Sequence, residues 1–291
     1  MEPAINLEVV DLTPRFLAFY EAAQAVEPDA DVRWRLWQEH YGFAAVPPTP
    51  DGQALARRLL DEAWPAYPGV LAQVRAGASG LVPAPEPILR SVARLLDCRQ
   101  DVTVRLVVFV GALEGNAFST MNAGVPVVCV PVEQVAEERE FILPHEFTHA
   151  VHLTTAGLPG SWERPIAQLI LEEGLATHTT AALMPGHPPA AYLEDTRAGS
   201  IPNWFQRCAE REAELLSGLR DYLADSSSDT VARFTFGTGT TGLEREAYYA
   251  GWVLVGYLLE QGWTLARLAH VPEDGLVSLV SEAIRSRLAS S

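Results

Sequence analysis

The stretch LPHEFTHAVH, from Leu143 to His152, restricts the fold of this chain more than any other, because it holds three of the chain's seven histidines. His145 and His149 are four residues apart, so on a helix they lie one turn from each other and can direct two imidazole nitrogens at one point. Glu146 follows directly and lies about 100° around the helix, beside that point. The spacing HExxH therefore predicts a helix with two metal ligands and a carboxylate that can take a proton from water.

A third ligand has to come from another segment, because a catalytic zinc site takes three protein ligands and keeps one position open. The sequence LILEEGLATHTT supplies Glu172 and Glu173 inside an apolar helical stretch that begins at Pro165. Burying such a pair is costly unless a cation lies close by. The turn GLPGSWERP lets the two helices pack antiparallel. We therefore expect Zn²⁺ as the cofactor, held by the two histidines and by one of these glutamates.

The motif HEFTH, followed after 23 intervening residues by Glu173 in the sequence EGLA, resembles the gluzincin class of zinc metallopeptidases. In that class a glutamate on the next helix completes the HExxH site, and the thermolysin-like and aminopeptidase families place it in an NE or NEGFA context. The resemblance implies that His145, His149 and Glu173 bind the metal and that Glu146 is the general base. It is closest to a bacterial group of uncharacterised predicted zinc-dependent proteases, and it covers about residues 100–260.

The segment EREAYYAGWVLVGYLLEQG contains a YxxG unit, Tyr248 and Gly251, that is similar to the tyrosine helix of aminopeptidase-like gluzincins. There the tyrosine hydroxyl donates a hydrogen bond to the oxyanion of the tetrahedral intermediate, and the resemblance implies this role for Tyr248. Tyr249 is the nearest rival. Both tyrosines can equally be packing residues of an amphipathic helix, and the pattern alone does not choose.

The sequence differs from those families at two positions, and these differences restrict the activity that is expected. Aminopeptidase-like enzymes carry a substrate-binding glutamate on a strand, and the corresponding segment STMNAGVPVV has none. This speaks against aminopeptidase activity. Thr177 stands where thermolysin-like enzymes carry an aspartate that orients a histidine, so support for the metal ligands is expected from other residues.

Four more polar residues near these motifs are given ordinary roles. His152 is expected to pack or to support the ligands, because the glycine of the metzincin pattern is absent. His178 is expected to be a hydrogen-bonded histidine on a helix surface. Arg245 and Glu246 are expected to form a solvated helix face rather than a substrate clamp.

Hydrophobic periodicity predicts an α+β fold that is predominantly helical. The first hundred residues are predicted to be helical, with Thr13 and Pro14 at the N-cap and N1 positions of the first helix. Two or three strands are predicted where β-branched residues are dense, in DVTVRLVVFVG and VPVVCVPV. Further helices are predicted at 30–42, 51–63, 85–97, 140–156, 165–183, 202–224, 245–261 and 276–288.

The prolines of VPVVCVPV set its expected place in the sheet. Pro126 and Pro131 lack an N–H donor, so this strand is predicted at a sheet edge beside the HExxH helix, where it can pair with the backbone of a substrate. We expect a helical N-terminal lobe over 1–99 and a metallopeptidase-like catalytic domain over 100–291, with a thermolysin-like core.

Composition excludes several classes of function. The net charge of −16 argues against a nucleic-acid partner. The chain has no lysine, which removes Schiff-base and P-loop chemistry. Its three cysteines show no CxxC spacing, so neither a disulfide framework nor a thiolate zinc site is expected. With no apolar run of roughly 18 residues and no signal-like N-terminus, a cytoplasmic protein without a membrane partner is expected.

These patterns together predict a zinc-dependent peptidase, a hydrolase of peptide or protein substrates. The alternative is a non-catalytic zinc-containing protein on the same scaffold that binds a peptide or regulates a partner. The acidic composition favours basic peptides only weakly, because long-range attraction is screened. Cleavage specificity, the choice between endo- and exopeptidase and the oligomeric state are left open.

Overall fold

The structure, a computed structural model, describes residues 3–26, 29–46, 50–193 and 202–290. Its strands are β1 (Ile5–Asp11), β2 (Val102–Phe109), β3 (Phe118–Asn122) and β4 (Val125–Pro131). Its first helices are α1 (Thr13–Gln24), α2 (Ala30–His40), α3 (Pro50–Ala63), α4 (Leu71–Ala76) and α5 (Pro85–Leu95). The helices after the last strand are α6 (Ala136–Ala156), α7 (Ile166–Leu183), α8 (Ala190–Leu193), α9 (Trp204–Glu210), α10 (Glu212–Leu219), α11 (Ser228–Thr235), α12 (Glu246–Glu260), α13 (Leu265–Ala269) and α14 (Glu273–Ser290). The predicted α+β, predominantly helical class is confirmed.

The four strands form one mixed sheet in the order β1-β2-β4-β3. β2 and β4 are parallel, with Arg105 opposite Val127, and β3 and β4 are antiparallel, with Phe118 opposite Cys129. β4 is buried from Pro126 onwards. A strand with neighbours on both sides and apolar contacts on both faces has an unbroken apolar sequence, as VPVVCVP has.

The chain divides into two compact units. The helical unit comprises residues 1–5, 87–102 and 143–291, and the sheet unit comprises residues 6–86 and 103–142. The division predicted after residue 99 remains a prediction. The sheet unit packs its apolar side chains against one face of the sheet; this core contains Val107, Phe109, Val127 and Cys129, with Leu12, Phe43, Ala45 and Phe118 packed against it.

Helix α7 is the interior element of the helical unit. Every residue from Ile166 to Thr177 is buried, the polar Gln168, Glu172 and Glu173 included. A helix that is apolar nearly all round has to be covered on all sides, and α7 packs against α12 and α14. The two glutamates of LILEEGLA are therefore interior residues, as the sequence predicts.

The N-terminal segment differs from the prediction in two ways. Residues 5–11, ahead of the first predicted helix, form strand β1, which was not predicted. This strand belongs to the sheet beside β2, and just before it the carbonyl of Ala4 accepts from the N–H of Val102 at 2.9 Å. The N-cap of α1 is Leu12 and not Thr13. The Asp11 carboxylate takes the capping role, since it accepts from the N–H of Thr13 at 2.9 Å and from its hydroxyl at 2.7 Å.

The predicted edge strand is also wrong. VPVVCVP forms β4, which pairs with β2 on one side and β3 on the other, so its backbone is not open to a substrate strand. Pro126 is the second residue of β4 and Pro131 is the last. Near the ends of a strand the missing N–H costs little, which explains why two prolines are tolerated in an inner strand.

Most of the other helices lie within a few residues of their predicted positions. The segment 202–224 is an exception, because it forms α9, α10 and a 3₁₀ turn at Arg220–Tyr222 in place of one helix. Arg211 has a non-helical backbone, with φ −119° and ψ 18°, and separates α9 from α10. Among the described residues no helix is both long enough and apolar enough to cross a membrane.

Candidate metal centre

Two helical segments within the helical unit bring the predicted ligands together. His145 and His149 lie on α6, and Glu173 lies on α7. The Nε2 atoms of the two imidazoles are 3.2 Å apart. Oε2 of Glu173 lies 3.3 Å from Nε2 of His145 and 3.7 Å from Nε2 of His149. These three residues, called here the His–His–Glu group, can hold a metal ion.

The triangle formed by these three atoms has the size that zinc requires. Zinc bound at about 2.0–2.2 Å in a tetrahedron places neighbouring ligand atoms roughly 3.3–3.6 Å apart. The observed separations of 3.2, 3.3 and 3.7 Å lie at or near that range. Oε2 of Glu173 is buried and has no hydrogen-bond partner of good geometry among the described residues. A cation is the group that would satisfy it.

Burial and mutual charge set the ionisation of the group. Burial lowers the pKa of His149 to about 3, which keeps this imidazole neutral near pH 7. Burial alone would raise the pKa of Glu173, but the two histidines outweigh it and lower the pKa to about 2. Burial also lowers the pKa of His145, but the contact with Glu173 more than offsets it and leaves the pKa raised. Glu173 and His149 thus have the deprotonated forms that metal binding needs.

Glu172 has a different set of partners, which separates it from its neighbour Glu173. Its Oε2 lies 2.7 Å from Nε of Arg164, and its Oε1 accepts from Nε2 of Gln168 at 2.7 Å. Consecutive residues on a helix point about 100° apart, so only one of the two glutamates can face the histidines. The structure brings Glu173 to them.

Glu146 and Tyr248 lie within electrostatic reach of the His–His–Glu group. Glu146 is buried on α6, and its charge acts on His145 and on Tyr248. Burial raises the pKa of Tyr248 well above the ordinary value for tyrosine, and the negative charge of Glu173 raises it further. The phenol therefore remains protonated at neutral pH and can donate a hydrogen bond.

The crossing of α7 and α12 explains how Tyr248 comes to this place. A Cβ added to Gly174 would lie 2.2 Å from the carbonyl oxygen of Gly251, and one added to Gly251 would lie 2.5 Å from the carbonyl oxygen of Ile170. Backbones can approach this closely only where both residues lack a side chain. Gly174 follows Glu173, and Gly251 is about one turn beyond Tyr248. The two glycines thus bring the carboxylate and the phenol together.

Tyr249 is occupied elsewhere. Its side chain is buried, and its hydroxyl donates to Oε2 of Glu212 at 3.1 Å. Oε1 of Glu212 accepts from Nε of Arg287 at 2.9 Å. The hydroxyl of Tyr249 therefore belongs to a network that joins α10, α12 and α14, and of the two tyrosines Tyr248 is the one beside the group.

The remaining histidines near the motif do not join the group. His152 is buried, burial lowers its pKa to about 4, and neither ring nitrogen has a hydrogen-bond partner among the described residues. It packs as a neutral ring. The ring of His178 stacks on Trp252 with centroids 4.1 Å apart, and its Nε2 lies 2.8 Å from the carbonyl oxygen of Trp252. As the sequence predicts, His178 is a hydrogen-bonded histidine.

The prediction that Glu246 is solvated is wrong. Glu246 is completely buried, and its carboxylate accepts four hydrogen bonds, from the N–H and hydroxyl groups of Thr240 and Thr241, at 2.6–3.0 Å. The first turn of a helix attracts an acidic residue, which is the signal that was available in the sequence. The carboxylate ties the loop before α12 to the start of that helix.

Two arginines near the group were not expected there. Arg164 precedes α7, and its charge acts on His149, Glu173 and Tyr248. Arg245 precedes α12 and is half-buried, with its guanidinium carbon 4.2 Å from the ring centroid of Tyr248. Both residues belong to irregular segments, where hydrophobic periodicity does not indicate in which direction a side chain points.

Comparisons of this chain with protein-family models, with curated proteins and with solved structures give no significant match. The likeness to gluzincins therefore depends on the motifs and on the geometry of the His–His–Glu group.

Proposed function

We propose that this chain is a zinc-dependent peptidase of the gluzincin type, with a thermolysin-like core, that hydrolyses peptide bonds with water. The observation that carries the proposal is the convergence of three ligand atoms, 3.2–3.7 Å apart, from two helices. Glu146, directly after the first ligand, and Tyr248 on the crossing helix add the two further groups that peptide hydrolysis needs.

The donor set favours zinc in a catalytic arrangement. Two imidazole nitrogens and one carboxylate oxygen form a ligand set that catalytic zinc uses, whereas structural zinc sites fill all four positions with protein ligands. Among the described residues no fourth histidine, cysteine, aspartate or glutamate joins the group. Zinc held there supplies Lewis acidity, which polarises a carbonyl and acidifies water.

Glu146 is the general base of the proposed reaction. Its carboxylate accepts a proton from the attacking water and delivers it to the nitrogen of the leaving amine, which restores the carboxylate for the next cycle. Glu146 is only 8% exposed, so few bulk waters compete for that proton. Its place one residue after His145 turns it to the side of the ligand face.

Tyr248 stabilises the negative charge that develops on the substrate carbonyl oxygen. A protonated phenol donates a hydrogen bond to that oxygen, and the bond is stronger in the transition state than in the bound substrate. The elevated pKa of Tyr248, caused first by burial, keeps the donor proton in place at neutral pH.

The variant Glu146→Gln tests the proposal. We expect it to bind about one equivalent of zinc, because the ligands are untouched, and to lose at least roughly 1,000-fold in kcat, because the amide cannot accept a proton. Zinc is measured by elemental analysis, and hydrolysis with labelled casein and a mixed peptide library read by mass spectrometry. Glu138→Gln is the matched control, since Glu138 lies on the same helix and is exposed.

Each part of the proposal has its own contrary result. Wild-type protein that holds less than about a tenth of an equivalent of zinc after reconstitution would contradict the metal centre. Full activity of Glu146→Gln would remove Glu146 from the mechanism. Full zinc occupancy without cleavage of either probe would favour the non-catalytic, peptide-binding alternative.

A further inference from the structure

Arg245 breaks the local rules for the start of a helix. It is the N-cap of α12 with φ 56° and ψ 36°, a left-handed conformation that residues other than glycine rarely adopt, and its side chain makes no capping hydrogen bond. Its positive charge also opposes the helix macrodipole, which favours anions at this end. Residues that break several local rules at once are concentrated at functional sites.

Among the described residues the guanidinium of Arg245 lies over aromatic rings and contacts no carboxylate. Its carbon lies 4.2 Å from the ring centroid of Tyr248 and 5.8 Å from that of Trp204. Its Nη1 lies 3.5 Å from the carbonyl oxygen of Leu193, which is long for a hydrogen bond. In the part of the chain that the structure describes, no carboxylate lies within ion-pair distance of Arg245. A stacked guanidinium uses its face and keeps the N–H donors at its edges available.

This cation lies beside the proposed catalytic residues. The positive charge of Arg245 acts on Tyr248 and on His145, and the ring that it covers is the one that bears the proposed oxyanion donor. The other arginine near the group, Arg164, is already paired with Glu172 at 2.7 Å. Among the described residues Arg245 therefore has no carboxylate partner, and its charge reaches His145 of the His–His–Glu group.

We propose that Arg245 binds a carboxylate of the substrate, so that the chain selects peptides with a negative group close to the scissile bond. The inference rests on the proposed peptidase function and names its substrate class: a free C-terminal carboxylate or an acidic side chain. A guanidinium recognises a carboxylate through two parallel charge-assisted hydrogen bonds. The net charge of −16 opposes such substrates only weakly, because charges farther than about 8 Å away are screened at physiological salt.

Three probes that bind metal through a hydroxamate distinguish the two sources of the carboxylate. All are dipeptide mimics with the same leucine-like side chain, and they end in alanine as the free acid, in alanine amide or in aspartate amide. Binding to the zinc-loaded full chain is measured by isothermal titration calorimetry. The variants are Arg245→Gln and Arg245→Asn, with Arg267→Gln as the matched control, because Arg267 also stacks on a ring, with its guanidinium carbon 3.6 Å from the ring centroid of Trp263.

For the wild type we expect the free acid to bind at least about tenfold more tightly than alanine amide, since hydrogen bonds between charged groups are the strong ones. Tighter binding of aspartate amide than of alanine amide would show that an acidic side chain is also accepted. The preference should fall below about twofold in both Arg245 variants and persist in Arg267→Gln. The melting temperature of Arg245→Asn should equal or exceed that of wild type, because asparagine suits both an N-cap and a left-handed backbone.

Equal binding of all three probes to zinc-loaded wild type would overturn the proposal, as would a preference that survives in Arg245→Gln. A lower melting temperature of Arg245→Asn together with lost preference would also overturn it, in favour of a structural role. Zinc content is measured first, because it distinguishes a failure of the Arg245 proposal from a failure of the proposed function. A wild-type chain that does not bind zinc contradicts both proposals. A zinc-loaded chain without preference contradicts only the role of Arg245.

Discussion

Glu173 in the helical unit and Glu133 in the sheet unit are both buried, yet their carboxyl groups differ in ionisation. Glu173 has two imidazole nitrogens within 3.7 Å, and these lower its pKa to about 2 although burial opposes them. Glu133 accepts a hydrogen bond from the N–H of Gly111 at 2.9 Å, and no cation of the described residues is among the main influences on its pKa. Burial, with a smaller contribution from Glu114, raises its pKa to about 7.

The difference shows what burial alone does to a carboxyl group and what basic neighbours add. A low-dielectric surrounding favours the neutral acid, and only an opposite charge or several donors can reverse that preference. An ionised carboxylate in the interior therefore indicates a place built to hold positive charge. The same amino acid, buried in both units, is an ionised carboxylate beside two imidazoles in one and a hydrogen-bonding group with a raised pKa in the other.

The largest effect is expected from Glu173→Gln. Removing the charged ligand should weaken zinc binding by more than about 100-fold and abolish hydrolysis. Glu172→Gln should weaken it by less than about tenfold, because the partners of Glu172 are Arg164 and Gln168 and not the histidines. Competition with a chromogenic chelator measures both affinities. Equal losses of zinc affinity in the two variants would contradict the distinction between Glu173 as a ligand and Glu172 as a supporting residue.

A second prediction concerns the glycines beside the two carboxyl groups. Gly174→Ala should destabilise the fold by at least about 3 kcal/mol, because the new Cβ meets backbone of Gly251 that cannot move alone. Gly111→Ala should cost only about 1 kcal/mol, since its Cβ would lie 2.7 Å from Oε1 of Glu133, the end of a flexible side chain. Urea unfolding measures both, with Gly69→Ala as control, because among the described residues its added Cβ meets no atom within 4 Å beyond its chain neighbours. Similar costs at the first two sites would contradict the assignment of a tight helix crossing.

The third prediction uses the titration of Glu133. Its folded pKa, about 7, is raised above the model-compound value of 4.5, so its contribution to stability is fully present below pH 4.5 and is lost as pH rises through 7. The loss amounts to about 3 kcal/mol by pH 8. Glu133→Gln, which can still accept from Gly111, should remove this pH dependence. Urea unfolding between pH 5 and 8 tests it, with Glu62→Gln as the exposed control, and parallel pH profiles of Glu133→Gln and wild type would refute it.

The sequence predicts the His–His–Glu group well because its information is local. Two ligands are spaced one helical turn apart, and the third lies on the next helix after a short turn. Helical spacing alone does not tell which glutamate, Glu172 or Glu173, faces the histidines. That depends on the partners that each side chain contacts in the folded chain. Those partners, Arg164 for one and the histidines for the other, are set by tertiary packing.

Features that depend on distant partners were not predictable. β1 pairs with a strand about 95 residues along the chain, and short strands without a local signal are decided by such pairing. The burial of Glu246 depends on four donors from Thr240 and Thr241, and the stacking of Arg245 depends on a left-handed backbone. Neither arrangement leaves a periodic pattern in the sequence.

Because α7 is covered on all sides, the three members of the His–His–Glu group differ in their exposure to solvent. The side chains of His145 and His149 are 19% and 15% exposed, whereas that of Glu173 is 6% exposed. A chelator that competes for an ion held there meets the imidazole side first, and the carboxylate is the last protein ligand that it can displace. The rate of metal exchange should accordingly fall when the histidine side is shielded, and it should depend little on the residues that cover the glutamate.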